Sequence, residues 1–219
     1  QSIYHLKAGT GDPPYAVQVA VILSLLLFIS YSIVSSSSSG SVMKIDDLFD
    51  TNTSDILIEN FKVGGLKKYG FDYESVKSIN PALIYCSITG FGQTGPYAHR
   101  AGYDYIIQGM SGFMSITGES GGMPQRAGVA VTDLFTGLYA TTAILSALHM
   151  RNNTGQGQHI DMALLDCAVS VMVNQAMNFM STGISPDRVG NIHPNLCPYQ
   201  VFECANAVSY THLTLPTKA

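Results

Sequence analysis

Two short apolar runs in the first half of the chain have the pattern of buried β-strands. The first, "DILIE" at 55–59, and the second, "PALIYCSITGFG" at 81–92, are rich in β-branched and aromatic residues and end in polar or glycine positions. The segment between them, residues 60–80, has a glycine turn followed by a helix-like stretch. Strand, helix and strand in this order predict two parallel strands connected across a helix.

The second half of the chain continues this alternation. Residues 102–118 predict a helix that ends near Gly112, and "HIDMAL" at 159–164 alternates like a strand before a further helix at 165–180. We therefore expect an α/β fold, a Rossmann-like parallel sheet with flanking helices, in which ligands gather at the carboxyl ends of the strands.

A long helix precedes the strand at 159–164, and a turn cluster at 151–158, "RNNTGQGQ", separates the two. The apolar positions of this helix recur at helical spacing and predict its buried face: Leu134, Leu138, Thr141, Leu145 and Leu148.

Both ends of the chain differ in character from the middle. Residues 16–34 are almost continuously apolar and long enough to span a bilayer, but they have no basic flank, and the Ser-rich stretch at 35–41 resembles a flexible spacer. A membrane span, a buried segment and non-native sequence are the open alternatives, and we do not favour the span. The predicted organisation is a separate segment at 1–54, a core at 55–204 and a non-native tail at 205–219.

Composition limits the kinds of partner and compartment. The net charge is only −4 and no basic run is present, so nucleic acid is not an expected partner. The six histidines and four cysteines show no metal-ligand spacing, and we expect no metal site. The cysteines are interpreted as reduced core residues of an intracellular protein: Cys86, Cys167, Cys197 and Cys204.

A single acid, Asp133, follows the small and β-branched residues of "GVAVTDLFTG" at 128–137 and precedes the long apolar helix. Aspartate at such a junction is a good helix cap. It is also ionised at neutral pH and can act as a nucleophile, and a nearby helix N-terminus is expected to keep it charged. The local sequence alone favours the cap, although the two roles are compatible.

Two long segments carry a resemblance to a known family. "DILIENFKVGGLKKYGFDYESVKSINPALIYCSITGFGQTGPYAHRAGYDYIIQGMSG" and "AGVAVTDLFTGLYATTAILSALHMRNNTGQGQHIDMALLD" resemble the family III CoA-transferases (CaiB/BaiF family), over about 55–203. The resemblance implies transfer of CoA from an acyl-CoA to a small carboxylic acid through an aspartyl acyl-enzyme intermediate on Asp133. Acyl-CoA is then a substrate, with no permanently bound cofactor, and the intact protein is an interlocked homodimer in the cytoplasm or mitochondrial matrix.

The resemblance also implies two groups of CoA-binding residues, one beside the phosphates and one along the pantetheine and acyl end. Lysine suits the phosphates because it binds them as a point charge. The first group is Asn60, Phe61, Lys62 and Lys68, and the second is Arg100, Ala101, Tyr103 and Asp104.

Other interpretations stay open at this point. The related α-methylacyl-CoA racemases have a proton-transfer histidine where this chain has Tyr103, and tyrosine, with its pKa near 10, is a weak base for that task. This favours the transferase over the racemase. A non-catalytic, membrane-tethered CoA-binding protein is the third hypothesis. The units that begin and close complete family members are not recognisable, so an internal fragment with an incomplete fold is expected.

Several residues have plainer expected roles. We predict that His149 and His159 are surface residues around a turn. We also predict that Met172, Met177 and Met180 fill core space.

Overall fold

Four strands form the main sheet, in their order along the chain. The computed structural model describes residues 54–202, together with the backbone of two short strands at 3–6 and 210–211. The four strands of the sheet are β1 (Ile3–Leu6), β2 (Ile56–Glu59), β3 (Ile84–Thr89) and β4 (His159–Ala163). β1 pairs antiparallel with β2, whereas β2, β3 and β4 are parallel. A separate pair consists of β5 (Val201–Phe202) and β6 (Tyr210–Thr211).

Helices connect the parallel strands, which confirms the predicted α/β fold. The helices are α1 (Tyr73–Ile79), α2 (Asp104–Met110), α3 (Phe113–Ile116), α4 (Val131–Thr154), α5 (Leu164–Ser170) and α6 (Val173–Thr182). A short 3-10 helix, Lys67–Tyr69, precedes α1. The strands at 55–59, 81–92 and 159–164 lie where the hydrophobic pattern predicts them, and the helix from 102 ends at Met110, close to Gly112.

The parallel strands contribute side chains to two hydrophobic cores, one on each face of the sheet. On one face, Ile58 and Cys86 pack with Ile144 of α4 and Ala168 of α5. On the other face, the core consists of Leu57, Leu66, Phe71, Val76, Leu83 and Tyr85. A sheet covered on both sides has little polar alternation, which explains why β2 and β3 read as continuous apolar runs.

The buried face of α4 consists mainly of small residues and differs from the predicted one. Its buried residues are Thr132, Thr136, Gly137, Ala140, Thr141, Ile144 and Ala147. Of the predicted stripe, Leu134 is 37% exposed and Leu138 is 60% exposed, so the prediction is wrong for these two. The reason is that small side chains allow the helix backbone to lie close to the sheet, whereas hydrophobicity alone pointed to the leucines.

By length and composition α4 could also cross a membrane, but the same test is passed by a core helix. Its contacts with β3, β4 and α5 are those of a core helix. The apolar segment at 16–34 lies outside the described residues, so the three alternatives for it stay open.

An arginine fixes the C-terminal end of α4 at the amino edge of the parallel strands. The Arg151 guanidinium forms an ion pair of 2.8 Å with the Asp55 carboxylate and donates to the backbone carbonyls of Asp55 and Ala82. The helix ends at Thr154 and Gly155 is its C-cap, with φ of 70°, so the turn expected from residue 151 begins four residues later. Because α4 returns the chain to the start of β4, its N-terminal end lies at the opposite, carboxyl edge of the sheet.

Two glycines allow the loop after β3 to fold back on itself. The backbones of Gly90 and Gly102 lie so close together that a Cβ added to Gly90 would overlap the Cα and N atoms of Gly102. Gly90 also accepts a hydrogen bond from the Leu165 backbone N–H. This close approach places the start of α2 beside the end of β3.

Several predictions about core residues need correction. Met172 is buried, but Met177 and Met180 are 58% and 75% exposed. Both lie on a side of α6 that no other element within residues 54–202 covers. Cys86 and Cys167 are free and buried as predicted, whereas Cys197 is free but exposed. Cys204 lies outside the described residues.

Replacing Gly90 with alanine is expected to destabilise the full-length protein by about 1–3 kcal/mol, because the new methyl group would overlap the Gly102 backbone. Urea unfolding measures the change. Gly128→Ala is the matched control, since a Cβ there meets no atom within 4 Å. Equal stability of both variants would show that the contact between Gly90 and Gly102 does not constrain the loop.

Candidate active site

Asp133 lies in the first turn of α4, at the carboxyl edge of the parallel sheet. The helix begins at Val131, and Asp133 is its third residue. Small buried residues of α4 hold this turn against the sheet, so the position of the Asp133 backbone is determined by the packing of the whole helix. The carboxylate is partly buried. It therefore occupies the edge where ligands bind in parallel α/β sheets.

The cap of α4 comes from another helix. The N-cap residue of α4 is Ala130, which has no side-chain capping bond. Instead, Oδ1 of Asp104 accepts hydrogen bonds from the Thr132 N–H at 2.8 Å, the Thr132 hydroxyl at 2.6 Å and the Asp133 N–H at 3.4 Å. The hypothesis that Asp133 is merely the cap of its own helix is therefore wrong, because Ala130 is the N-cap residue and the N–H groups of Thr132 and Asp133 donate to Asp104.

The Asp104 carboxylate is held in turn by Gln108. Its Oδ2 accepts a hydrogen bond of 2.6 Å from Nε2 of Gln108, one turn further along α2. Gln108 is fully buried, and its Oε1 accepts from the Ala127 N–H at 2.9 Å. One buried amide thus connects α2 with the segment that leads into α4.

Burial and the neighbouring Asp104 charge raise the pKa of Asp133 to about 6. The sequence led us to expect the opposite, namely that the helix N-terminus would favour the charged form. The difference follows from the hydrogen bonds, because the N–H groups of Thr132 and Asp133 donate to Asp104. At neutral pH the carboxylate is still mostly ionised, and it is more basic than an ordinary aspartate.

The first predicted CoA-binding group follows β2 directly. Asn60 and Phe61 are half-buried and Lys62 is exposed. The Phe61 N–H donates to Oε2 of Glu59 at 2.7 Å, which fixes the turn out of the strand. Lys68 belongs to the 3-10 helix, and its ammonium lies 4.6 Å from the centre of its neighbour's ring, Tyr69.

A cavity of about 250 Å³ lies beside this loop. Its lining includes Glu59, Lys62, Lys67, Tyr73 and His159. Lys67, and not the predicted Lys68, shares the lining with Lys62. The cavity also contains Tyr85 and Ser87, so it lies on the face of the sheet opposite to α4.

The second predicted CoA-binding group lies between β3 and α2. Arg100, Ala101 and Tyr103 are exposed, and Tyr103 is 70% exposed. The Arg100 guanidinium lies 5.0 Å from the centre of the Tyr97 ring. Asp104 is different, because both of its carboxylate oxygens already accept hydrogen bonds from within the protein.

The structure brings some of the predicted residues together and leaves others apart. Asp104 contacts the backbone of Asp133 directly. The loops that contain Lys62 and Arg100 follow neighbouring parallel strands, so both start at the same sheet edge as Asp133. The cavity beside Lys62, however, lies on the other face of that sheet.

A largely buried polar cluster around Ser87 and His159 was not predicted from the sequence. Ser87 on β3 hydrogen-bonds to Nε2 of His159 on β4 at 2.9 Å, and the His159 ring stacks on Tyr73 at 4.6 Å. His159 is therefore half-buried rather than a surface residue, and burial lowers its pKa. Glu59 is 5% exposed, and burial raises the pKa of its carboxyl group.

The interactions that the sequence did not predict differ in how strongly the sequence marks them. Asp104 and Gln108 have the spacing of one helical turn, i and i+4, which is a usable signal for a side-chain pair. The contact between Ser87 and His159 joins positions 72 residues apart and depends on the strand register, so no local pattern marks it.

A family model supports the resemblance. Residues 46–217 match the model for CoA-transferase family III. The chain belongs to this family.

Curated relatives have names that agree with the family. The chain is 62% identical over 154 residues to the succinate–glutarate CoA-transferase of Agrobacterium fabrum, covering 70% of this chain and 38% of that protein. It is 45% identical over 149 residues to the human succinyl-CoA:glutarate CoA-transferase, covering 68% of this chain and 34% of that protein. It is 44% identical to the acetyl-CoA:oxalate CoA-transferase of Acetobacter aceti, covering 68% and 39%. The chain thus spans less than half the length of these relatives.

A solved structure of a family member is similar to this chain in fold and sequence. The crystal structure of a CaiB/BaiF family protein from Brucella suis matches with a TM-score of 0.67 and 62% identity, covering 72% of this chain and 42% of that one.

The raised pKa of Asp133 predicts a pH-dependent effect of Asp133→Asn on stability. A carboxyl group whose pKa is about 6 when folded and 3.8 when unfolded destabilises the folded protein above pH 6 and has no such effect below pH 3.8. The advantage of the asparagine variant should therefore grow by about 1–3 kcal/mol between pH 4 and pH 8.

Urea unfolding of the full-length protein at the two pH values measures this difference, and effects of the substitution that do not depend on pH cancel. Asp166→Asn, at an exposed first-turn position of α5, is the control. A pH-independent advantage would show that Asp133 has an ordinary carboxyl group.

Proposed function

We propose that the full-length protein transfers CoA from an acyl-CoA thioester to a carboxylic acid, with Asp133 as the nucleophile. The observation that carries the proposal is the Asp133 carboxylate, partly buried at the carboxyl edge of the sheet and with its pKa raised to about 6. It occupies this position in a chain of the family III CoA-transferases. A carboxylate of this kind is more basic than usual and still ionised at neutral pH, as a nucleophile should be.

The first half of the reaction exchanges the thioester onto the protein. An oxygen of Asp133 attacks the acyl carbonyl, the bond between carbon and sulfur breaks, and CoA leaves as a thiolate. A mixed anhydride between Asp133 and the acyl group remains. The thiolate then attacks the aspartyl carbonyl, which releases the first carboxylic acid and leaves Asp133 as a CoA thioester.

The second half reverses these steps with the acceptor. The acceptor carboxylate attacks the aspartyl carbonyl and displaces CoA thiolate, which gives a second anhydride. The thiolate attacks the acceptor carbonyl, forms the new acyl-CoA and frees the Asp133 carboxylate. One thioester is broken and one is made, so the energy of the thioester is conserved and neither an external base nor an oxidant is required.

The hydrogen bonds at α4 limit what can stabilise the oxyanions of these steps. The N–H groups at the start of a helix are common donors for such oxyanions. The N–H groups of Thr132 and Asp133 already donate to Asp104. We therefore propose that the oxyanion contacts come from other groups.

The proposed CoA contacts use the loops at the same sheet edge. Lys62 and Lys67 line one cavity and would bind phosphate as point charges. Because that cavity lies on the face opposite to α4, CoA held there would pass over the carboxyl ends of the strands to reach Asp133. The exposed residues Arg100, Ala101 and Tyr103 lie on a loop at that edge and suit contacts with the pantetheine arm. Lys68 stays a proposed contact, with Lys67 the better placed of the two.

The names of the relatives favour dicarboxylic acids as the acids exchanged. Succinate and glutarate occur in the names of the relatives from Agrobacterium fabrum and human, and mesaconate in that of a Haloarcula hispanica relative. We propose succinyl-CoA as a donor and a short dicarboxylate as acceptor. A homodimer, and the cytoplasm or mitochondrial matrix as the location, remain predictions.

Asp133→Asn should abolish the exchange between succinyl-CoA and glutarate, with a loss of at least about 10³-fold in kcat, because no acyl-enzyme can form. In the native protein kcat/KM should fall below about pH 6 as the Asp133 carboxylate is protonated. Hydroxylamine added during turnover should convert Asp133 to a hydroxamate, detected by peptide mass spectrometry. Exchange at an undiminished rate in the variant would falsify the proposal. Loss of the substrate α-proton without CoA transfer would favour the racemase instead.

Lys62→Ala should raise the KM for acyl-CoA about tenfold and change kcat little, because a contact between lysine and phosphate is lost in the ground state and the transition state alike. Steady-state kinetics measures both constants. Lys77→Ala is the matched control, since Lys77 is exposed on α1 and lies 5.3 Å from the centre of the Tyr73 ring, without lining the cavity. An unchanged KM in Lys62→Ala would remove Lys62 from the CoA site.

A further inference from the structure

We propose that Asp104 is a positioning residue for Asp133, holding the first turn of α4 from outside the helix and controlling the reactivity of the nucleophile through its charge. The inference rests on the proposed function, but it assigns Asp104 a task other than the CoA contact that the family resemblance implies.

The geometry around Asp104 leaves its carboxylate engaged within the protein. Three hydrogen bonds converge on Oδ1, from the N–H and hydroxyl of Thr132 and from the N–H of Asp133. The other oxygen, Oδ2, accepts from Gln108. An acid oriented on both oxygens is suited to fixing a backbone, and with three donors on Oδ1 most of its acceptor capacity is used within the protein.

The local sequence of α4 makes an external cap necessary. The residues before the helix are small and apolar, and Ala130 at the N-cap position has no side chain that can accept a hydrogen bond. Without Asp104 the N–H groups of Thr132 and Asp133 would lose their acceptor. The turn that contains Asp133 would then be free to fray, as helix ends commonly do.

Gln108 also fixes the position of the segment before α4 by hydrogen bonding. It is fully buried, donates to Asp104 and accepts from the N–H of Ala127, and its Nε2 also lies 3.5 Å from the carbonyl oxygen of Val129. Asp104 and Gln108 together therefore fix residues 127–133 relative to α2. Since α2 is placed by the contact between Gly90 and Gly102, the nucleophile is tied to the end of β3.

The charge of Asp104 also acts on the nucleophile itself. Asp104 is the neighbouring charge that raises the pKa of Asp133, after the larger effect of burial. A more basic carboxylate is a better nucleophile as long as it stays ionised at the working pH. Removing the charge while keeping the shape should therefore lower the pKa of Asp133 and weaken its attack.

The test compares Asp104→Asn with the native full-length protein by carbon-13 NMR of labelled aspartate, which reports the Asp133 carboxyl titration without turnover. The titration in the variant should move to lower pH by about one pH unit. The kcat for CoA exchange at pH 8 should fall at least about tenfold with little change in the KM for acyl-CoA. Asp166→Asn, the same chemical change in the first turn of α5, should leave both quantities as in the native protein.

Two hydroxyl variants keep the test decisive if Asp104→Asn does not fold. Thr132→Val removes the hydroxyl bond to Asp104 and keeps the backbone N–H, and it should lower kcat. Thr132→Ser keeps both donors and should restore the native kcat. An unmoved titration together with an unchanged kcat would overturn the positioning role, and a raised KM with unchanged kcat would return Asp104 to the CoA site. A native protein without CoA exchange would defeat the proposed function, yet the NMR titration would still test the link between Asp104 and Asp133.

Discussion

The hydrogen bonds from the first turn of α4 to the Asp104 carboxylate are the interaction on which the candidate site depends. They join α2, the helix that follows the loop after β3, to the helix that precedes β4, and they do so at Asp133 and the residue before it. At its other end α4 is fixed by the ion pair between Arg151 and Asp55. Between these two points, small residues bring the helix backbone close to the sheet. Asp133 therefore lies at the end of a helix that is held along its whole length.

This arrangement explains how α4 can be capped while the acid in its first turn, Asp133, has a raised pKa. Had Asp133 capped α4 itself, its oxygens would accept backbone hydrogen bonds, which favour the charged form and lower the pKa of a carboxyl group. A second acid takes that role, and its charge together with burial has the opposite effect on Asp133. The helix terminus is satisfied by one carboxylate so that the other can be basic. The arrangement places two carboxylates close together, and their repulsion is unfavourable. The buried Gln108 amide partly offsets it by donating a hydrogen bond to Asp104.

The sequence predicted the architecture well because its signals are local. The apolar runs of β2 and β3 and the helical spacing from Leu134 depend only on neighbours in the chain, and the two long segments at 55–112 and 127–166 indicated the family. The face of α4 was predicted wrongly, since hydrophobicity ranked Leu138 above Ala140 although close packing on a sheet favours the smaller residue. The roles of Asp104 and His159 were missed for another reason. Each depends on a partner brought near by the fold, Thr132 for Asp104 and Ser87 for His159, and no spacing within the chain records such a contact.

The most direct test of the proposal that Asp133 is the nucleophile follows oxygen atoms through its carboxylate. Full-length protein is incubated with succinyl-CoA and glutarate whose carboxylates carry a heavy oxygen isotope, and both the Asp133 peptide and the released succinate are analysed by mass spectrometry. An anhydride on Asp133 leaves one acceptor oxygen on the aspartate, and later turnovers pass that oxygen to succinate whenever it is the oxygen that attacks succinyl-CoA. If Asp133 forms the anhydride, both Asp133 and the released succinate become labelled. Continued turnover with both unlabelled would contradict the proposal.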